Sequence, residues 1–327
     1  MILKAVVQMM LVLSVVEFVP VDGAVLESRA ELPRAGGRVP TAIELTHRVM
    51  DPAVDLTTPI GQPPTKEDEN SLGIVTSAVS TLVYDRASAT SLYQENASDI
   101  RSIGSITKLM TAYTALAEGI DLDATAAVRE TDVRTGGHDY LQVDDEVTIQ
   151  DLLRASLVGS DNSATTALVR LTGLSQEDFV THMNQEAERL GLADTTFVDP
   201  TGLSARNRST ARDIVRMLEV VLEIEPIQTA TTEPSASFIS TTGINYSFPS
   251  TNELLLSYLN RSPYQIVGGK TGFLPQAGYC MALRIQENSG HDIYVVVLGA
   301  ESKEARLQEV KGLAQWAFDT FAWPDEV

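Results

Sequence analysis

The sequence predicts an α+β fold, in which one β-sheet carries helices on its faces and a helical subdomain is attached. Strand patterns occur at both ends of the folded region, within residues 79–94 and 238–298. Between them lies a helical middle at residues 107–223, and an amphipathic helix closes the chain at residues 304–321. Strands at both ends that enclose a group of helices are typical of one sheet covered by helices.

The elements follow from local signals along the chain. Residues 79–84 are predicted as a strand, with residues 91–94 as its hairpin partner. Helices are predicted at residues 107–119, 149–156, 163–171, 176–191 and 211–223. The fourth of these begins after Ser175, which has Asp178 three residues later, and it ends at Gly191. Further strands are predicted at residues 238–240, 244–248, 266–271, 278–286 and 292–298.

The N-terminus has the pattern of a targeting segment. Lys4 precedes an apolar stretch at residues 5–16, which is long enough for a signal-peptide core but short for a membrane span. Residues 1–24 are therefore predicted to be a signal peptide or an uncleaved membrane anchor, with a buried helix as the alternative. The protein is accordingly expected outside the cytoplasm, whether secreted, periplasmic or associated with the cell wall. Residues 25–72, with six prolines, are predicted as a polar linker and residues 73–327 as the folded domain, which carries the three motifs described below.

Charge and rare residues exclude several classes of function. The chain carries 44 acidic and 24 basic residues, and its net charge of −20 disfavours binding to nucleic acid or to anionic lipid. The single cysteine, Cys280, cannot form an intramolecular disulfide, and its apolar surroundings predict a buried core position. The four histidines are scattered without the spacing of metal ligands. We therefore expect neither a metal nor a cofactor.

The first chemical motif is Ser105-Ile-Thr-Lys108, at the predicted start of a helix. Residues three apart lie on the same side of a helix, so the hydroxyl of Ser105 and the amine of Lys108 can meet. A serine hydroxyl becomes a good nucleophile when a neighbouring base takes its proton. A lysine can be that base if burial or a second cation lowers its pKa.

Two more motifs follow in order. Ser160-Asp-Asn162 precedes a predicted helix, and Lys270-Thr-Gly272 is predicted at the end of a strand. The third motif adds a second cation beside a hydroxyl and a residue without a side chain, where a substrate backbone can approach. Each motif alone is weak, because Ser105 and Lys108 could equally be a helix cap and a solvated lysine. The ordered set of three indicates a serine acyl-transfer enzyme.

With these motifs, the sequence resembles the D-alanyl-D-alanine carboxypeptidases, which are low-molecular-mass penicillin-binding proteins. The similar segments, besides the second motif, are residues 102–112, 199–204, 209–213, 269–273 and 277–280. The resemblance covers about residues 77–321 and implies a three-layer α/β/α fold of the β-lactamase/transpeptidase type. Its sheet would be mainly antiparallel and five-stranded. The implied partners are the stem peptides of peptidoglycan as substrate and β-lactam antibiotics as inhibitors.

The resemblance also implies roles for the first two motifs. Ser105 attacks the carbonyl carbon of a D-Ala-D-Ala peptide bond and forms an acyl-enzyme, while Lys108 accepts the serine proton. Ser160 passes a proton toward the leaving amine. Asn162 hydrogen-bonds both the substrate and Lys108. Water then releases the acyl group.

The third motif is implied to bind the substrate. Lys270 supplies positive charge for the substrate carboxylate and helps to lower the pKa of Lys108. Thr271 hydrogen-bonds that carboxylate, and Gly272 lets the substrate backbone approach. The backbone N–H groups of Ser105 and Phe273 would form the oxyanion hole.

Two departures from the family pattern leave alternatives open. Gly104 stands where alanine is more usual, and Ser160-Asp-Asn162 is the form typical of class A β-lactamases. Those enzymes, however, need a Glu-x-x-Leu-Asn loop before the third motif, and residues 252–254 carry a glutamate without that spacing. The chain also ends one helix after its last predicted strand, without the β-rich domain of many relatives. A DD-endopeptidase acting on cross-linked peptides is therefore the nearest alternative, followed by a β-lactamase and a non-catalytic wall-binding protein.

Overall fold

A computed structural model describes residues 61–324. The predicted targeting segment and residues 25–60 of the predicted linker lie outside the described residues. The strands are β1 Thr65–Lys66, β2 Ser80–Asp85, β3 Thr90–Glu95, β4 Arg101–Ser102, β5 Thr125–Ala127, β6 Glu146–Thr148, β7 Arg208–Ser209, β8 Ser235–Ile239, β9 Asn245–Pro249, β10 Tyr264–Leu274, β11 Gly278–Glu287, β12 Asp292–Ala300 and β13 Phe321–Ala322. The helices are α1 Thr107–Ala117, α2 Ile149–Leu157, α3 Asn162–Leu171, α4 Gln176–Arg189, α5 Ala211–Val221, α6 Glu225–Thr232 and α7 Lys303–Thr320.

The main sheet has five strands in the order β10-β11-β12-β2-β3, and every neighbouring pair is antiparallel. Successive side chains of a strand point to opposite faces of the sheet, so each face can carry its own core. Leu82 and Val296 belong to the core shared with α1 and α5, whereas Val83 and Val297 belong to the core shared with α7. The sheet is thus buried between two helical layers, which confirms the predicted α+β, three-layer fold.

Helix α1 runs through the larger core and is buried along most of its length. Leu109, Met110, Tyr113 and Leu116 recur at helical spacing, which predicts one buried apolar face. In the structure, residues 107–115 are all buried, including the threonines, while Leu116 is only partly buried. A helix that is covered on all sides has little freedom to shift, which matters because it begins two residues after Ser105.

Two features differ most from the predicted elements. Helix α6 was not predicted, and it has Pro226 in its first turn, where proline is tolerated because the N–H needs no helical partner. Strand β10 extends from Tyr264 to Leu274, so the third motif lies within the strand and not at its end. Cys280 is buried as predicted, and burial raises the pKa of its thiol to about 11.

The beginning of the described chain packs on the end of the domain. Strand β1 pairs antiparallel with β13, and Trp316 Nε1 donates a hydrogen bond of 2.7 Å to Ser71 Oγ. Strand β1 and Ser71 belong to the segment that was predicted as the end of the linker. Within residues 61–324, no helix is both long and apolar enough to cross a membrane.

Candidate active site

The predicted nucleophile lies in a tight turn at the start of α1. Ser105 is the middle residue of a 3₁₀ turn, Gly104–Ile106, that leads directly into the helix. Lys108 follows one turn later, and its Nζ donates a hydrogen bond of 3.0 Å to Ser105 Oγ. The Ser-x-x-Lys spacing therefore brings the two groups together as the sequence predicts.

Lys108 is held by acceptors in the protein interior. Its side chain is fully buried, and Nζ also donates to Asn162 Oδ1 at 2.6 Å and to the backbone oxygen of Thr201 at 2.7 Å. Burial lowers the pKa of Lys108 to about 7, against the opposing effect of the carboxylates of Asp161 and Asp199. A large fraction of this lysine is therefore neutral near pH 7, with a lone pair that can accept a proton.

The second motif is fixed by the side chain between its two predicted residues. Asp161 caps α3, where its Oδ1 accepts from the backbone N–H of Ala164 at 2.8 Å. Its Oδ2 accepts from the N–H of Tyr140 at 2.9 Å, which ties the loop before α2 to the motif. Ser160 has a φ of +62°, a conformation that costs a non-glycine residue free energy and is typical of functional sites. Ser160 and Asn162 both line the same cavity as Ser105.

The third motif supplies a second buried lysine. Lys270 is 1% exposed, and the hydrogen bonds of its Nζ, to Thr251 Oγ1 and to the backbone oxygen of Thr271, are both 3.4 Å long. Burial lowers its pKa, and the positive charges of Lys108 and Arg306 lower it further. No carboxylate among residues 61–324 forms an ion pair with Lys270. An anionic ligand would supply the missing charge partner and favour the protonated form of Lys270.

The backbone of β10 lies against the turn that carries Ser105. A Cβ atom added at Gly272 would lie 3.2 Å from the backbone nitrogen of Ser105, and one added at Gly104 would lie 2.9 Å from that of Phe273. The two N–H groups predicted to form an oxyanion hole thus belong to segments in close contact. Gly104 has a φ of +54°, so the alanine that is more usual there would be strained in this backbone.

The loop that contributes Thr201 is held by Asp199. The Oδ1 atom of Asp199 accepts from the N–H groups of Thr201 and Gly202, each at 2.8 Å, and Oδ2 accepts from that of Ser204 at 2.8 Å. The sequence indicated this loop only through its resemblance to the family. Because the group that contacts Lys108 is a backbone carbonyl, no residue type at position 201 could have revealed it.

Asn207 connects this loop to the nucleophile helix. It is fully buried, and its Oδ1 accepts from the N–H groups of Val198 at 2.8 Å and Asp199 at 3.2 Å. Its Nδ2 donates to Thr107 Oγ1 at 3.1 Å and to the oxygen of Asp199 at 2.8 Å. The sequence analysis missed this residue.

These groups surround one cleft, a cavity of about 510 Å³. Six of the eight predicted site residues line it, namely Ser105, Ser160, Asn162, Thr271, Gly272 and Phe273. Lys108 and Lys270 lie behind its wall, in contact with Ser105 and Thr271. The sequence missed Thr251, whose Oγ1 lies 2.8 Å from Thr271 Oγ1, and Arg306, which lines the cavity and is 4% exposed.

Aromatic side chains form parts of two walls of the cleft. The ring of Tyr140 stacks on that of Phe248 with centroids 4.3 Å apart. The ring of Phe273, half exposed, stacks on that of Tyr279 at 4.4 Å. Among the described residues, no group of three or more histidine, cysteine, aspartate or glutamate side chains is arranged to hold a metal ion.

Comparisons with known proteins identify the family. A model of the D-alanyl-D-alanine carboxypeptidase family, peptidase family S11, matches residues 66–302. The D-alanyl-D-alanine endopeptidase of Pseudomonas aeruginosa is 33% identical over 241 residues, which are 72% of this chain and 76% of that protein. The Streptomyces K15 DD-transpeptidase superimposes with a TM-score of 0.67 and 26% identity, covering 76% of this chain and 99% of that one. Penicillin-binding protein D2 of Listeria monocytogenes, in its cefotaxime-bound form, gives 0.63 and 27%, with 75% and 99% covered.

The matched region begins at β1, ends just before α7 and contains all three motifs. It therefore includes the turn with Ser105, the second motif and the complete strand β10. The sheet, the hydrogen-bonded Ser105–Lys108 pair and the family match agree with one another. The chain belongs to the D-alanyl-D-alanine carboxypeptidase family of serine peptidases.

Proposed function

We propose that the chain removes the terminal D-alanine from peptidoglycan stem pentapeptides, through an acyl-enzyme on Ser105. The observation that carries the proposal is the hydrogen bond of 3.0 Å between Lys108 Nζ and Ser105 Oγ, in a site where burial lowers the pKa of Lys108 to about 7. A buried lysine of this kind can take a proton at neutral pH, which an ordinary lysine cannot.

Acylation begins when Ser105 Oγ attacks the carbonyl carbon of the penultimate D-alanine. The hydroxyl proton moves to Lys108 Nζ, which Asn162 Oδ1 and the Thr201 oxygen hold in position. The oxyanion that forms is stabilised by the N–H groups of Ser105 and Phe273. In acyl-transfer enzymes, losing one such donor costs about 3–4 kcal/mol of barrier.

The leaving group is recognised by its carboxylate. Lys270 and Thr271 bind it, and Thr251 orients the Thr271 hydroxyl from 2.8 Å away. Ser160 passes a proton to the leaving amine as the C–N bond breaks. Water then attacks the ester on Ser105, and the serine recovers its proton.

A DD-endopeptidase is the second candidate, because the P. aeruginosa relative carries that name at 33% identity. An endopeptidase cuts cross-linked peptides with the same nucleophile and base. The two activities therefore differ only in how much room the cleft gives to the leaving group.

The cavity gives less support to a β-lactamase. Glu253 is the only acidic side chain among the described residues that line it, and its carboxylate is paired with Lys303. The contact of this carboxylate is with Lys303, and none of its hydrogen bonds or ion pairs is with Ser105. We expect β-lactams to acylate Ser105 and to leave slowly, as inhibitors, in keeping with the cefotaxime-bound form of the Listeria relative.

The family acts on the cell wall, so we infer that the chain works outside the cytoplasm, with residues 1–24 as a signal peptide or an anchor. Fractionation of cells that express the full chain tests this. Recovery of the protein from the cytoplasm alone would contradict the inference.

The activity is tested with two substrates, a stem pentapeptide and a cross-linked dimer. We expect the wild type to release free D-alanine from the pentapeptide and Ser105→Ala to release none. Ser91→Ala, on the edge strand β3, is the matched control and should behave as the wild type. Cleavage of the dimer with no D-alanine from the pentapeptide would favour the endopeptidase. D-alanine release by Ser105→Ala would refute the assignment.

A further inference from the structure

One charged pair on the wall of the cleft is not used by the chemistry described above. Glu253 and Lys303 both line the cavity that contains Ser105, and their side chains form an ion pair. They are 49% and 46% exposed, and an ion pair this open to water contributes little to stability. Each of the two side chains can therefore leave the other and bind a charged group of a ligand, at a small cost in free energy.

The pair is not needed to hold the elements on which it lies. Glu253 begins a 3₁₀ turn, Glu253–Leu256, that is capped by Asn252, whose Oδ1 accepts from the N–H of Leu254 at 3.2 Å. Lys303 is the first residue of α7, which is capped by Ser302. Because both elements have their own caps, the ion pair is free for another role.

Contacts on both sides relate this pair to the third motif. Thr251, two residues before Glu253, lies with its Oγ1 2.8 Å from that of Thr271. Arg306, one helical turn after Lys303, donates from Nη1 to the oxygen of Gly272 at 3.5 Å. Residues three apart lie on one side of a helix, so Lys303 is on the same side of α7 as Arg306, which contacts the edge strand β10. The pair therefore lies beside the strand that carries the third motif.

The signs of the two charges define what fits there. A ligand with only a negative group would meet Lys303 but be repelled by Glu253, and a ligand with only a positive group would have the opposite difficulty. A group that carries both charges can satisfy both side chains through charge-assisted hydrogen bonds. We propose that Glu253 and Lys303 form a specificity subsite for a zwitterionic side chain of the peptide substrate, one that ends in both an amino and a carboxylate group. This inference rests on the proposed function.

Four N-acetylated peptides of the form X-D-Ala-D-Ala test the subsite, with alanine, lysine, glutamate or 2,6-diaminopimelate at X. The diaminopimelate side chain ends in an amino and a carboxylate group. We expect the wild type to favour it over alanine about tenfold in kcat/KM, which corresponds to about 1.4 kcal/mol. Glu253→Gln and Lys303→Met should each bring this ratio toward one, and Glu253→Lys should shift the preference toward glutamate.

Two matched variants serve as controls. Glu304→Gln removes an exposed carboxylate next to Lys303, and Lys311→Met removes a lysine from the same helix; neither residue lines the cavity. Both should keep the wild-type ratio. Equal kcat/KM for the diaminopimelate and alanine peptides, or an equal loss of preference in the controls, would overturn the subsite. Release of D-alanine from none of the four peptides would instead refute the proposed function.

Discussion

At the scale of single residues, the site depends on two buried lysines with different surroundings. Lys108 has three hydrogen-bond acceptors within 3.0 Å, whereas Lys270 has two at 3.4 Å. The short contacts fix the amine of Lys108 beside Ser105, as a base requires. The long contacts leave Lys270 poorly compensated, which suits a cation that binds a substrate carboxylate.

The first prediction concerns the pH dependence of acylation. Because burial lowers the pKa of Lys108 to about 7, its protonated form dominates below that pH and cannot accept the serine proton. The second-order rate constant for acylation by benzylpenicillin should rise about tenfold per pH unit below pH 7 and level off above it. Stopped-flow measurements from pH 5 to 9 check this. A rate constant that starts to fall already below about pH 10, as for an ordinary lysine, or one that does not change with pH, would contradict the role of Lys108.

The second prediction is that Lys270→Met stabilises the fold while it abolishes peptidase activity. The fully buried amino group of Lys270 loses its hydration on folding, and its two hydrogen bonds, both 3.4 Å long, do not offset that cost. We expect a gain of about 1–3 kcal/mol in the free energy of unfolding at pH 7. This raises Tm by about 2–4 °C per kcal/mol in a domain of this size. Lys311→Met, at a partly exposed position, is the control and should leave Tm nearly unchanged; a lower Tm for Lys270→Met would refute the argument.

At the scale of elements, the loop at residues 199–207 positions the base from the side opposite the second motif. Asp199 and Asn207 both organise this loop through hydrogen bonds to its backbone. Asn207 also donates to Thr107, in the first turn of the helix that carries Lys108. The loop and α1 therefore move as one unit, which keeps the Thr201 oxygen against Lys108.

The third prediction compares two asparagines whose side chains hydrogen-bond backbone groups of another segment. Asn207→Ala removes such contacts next to the site. Asn184→Ala removes similar contacts elsewhere, because Asn184 Oδ1 accepts from the N–H of Phe197 at 2.9 Å and its Nδ2 donates to the backbone oxygen of Phe197 at 2.8 Å. Each should lower the free energy of unfolding by about 1–3 kcal/mol, because buried backbone groups lose their partners. Only Asn207→Ala should also slow acylation, by tenfold or more, since small displacements of a catalytic group are costly. Equal acylation rates in the two variants would show that the hydrogen bonds of Asn207 are purely structural.

The motifs could be predicted from the sequence because each acts over a short range. Ser105 and Lys108 meet within one helical turn, and Asp161 caps the helix that begins beside it. Thr251 and Arg306 could not be found in this way, since they reach the cleft from separate elements that only the folded sheet brings together. The end of strand β10 was predicted too early because Gly272 weakens the strand pattern.

At the scale of the whole molecule, strand patterns at both ends of the folded region predicted one sheet with helices on its faces, and the structure and the family match confirm it. The two separate cores explain why the strands read as nearly continuous apolar runs: β12 is buried on both faces from Ile293 to Leu298. The domain boundary at residue 73 remains a prediction. The pairing of β1 with β13 indicates that residues before it also contribute to the fold.

The fourth prediction tests this contribution. A chain that starts at residue 73 loses the β1–β13 pairing, the hydrogen bond of 2.9 Å from the N–H of Glu67 to the oxygen of Thr320, and the contact between Ser71 and Trp316. We expect a free energy of unfolding lower by roughly 1–3 kcal/mol than in a chain that starts at residue 61. Urea titration of the two chains measures the difference. Identical midpoints would place the boundary at residue 73, as the sequence predicted.

The most direct test of the central claim is the intact mass of the protein after incubation with benzylpenicillin. If Ser105 is the nucleophile and Lys108 its base, the wild type gains the mass of one penicillin, and peptide mapping finds the adduct on Ser105. The Ser105→Ala variant should gain none, while its thermal unfolding shows that it is folded. Stoichiometric labelling of Ser105→Ala, or an adduct on another residue of the wild type, would contradict the account.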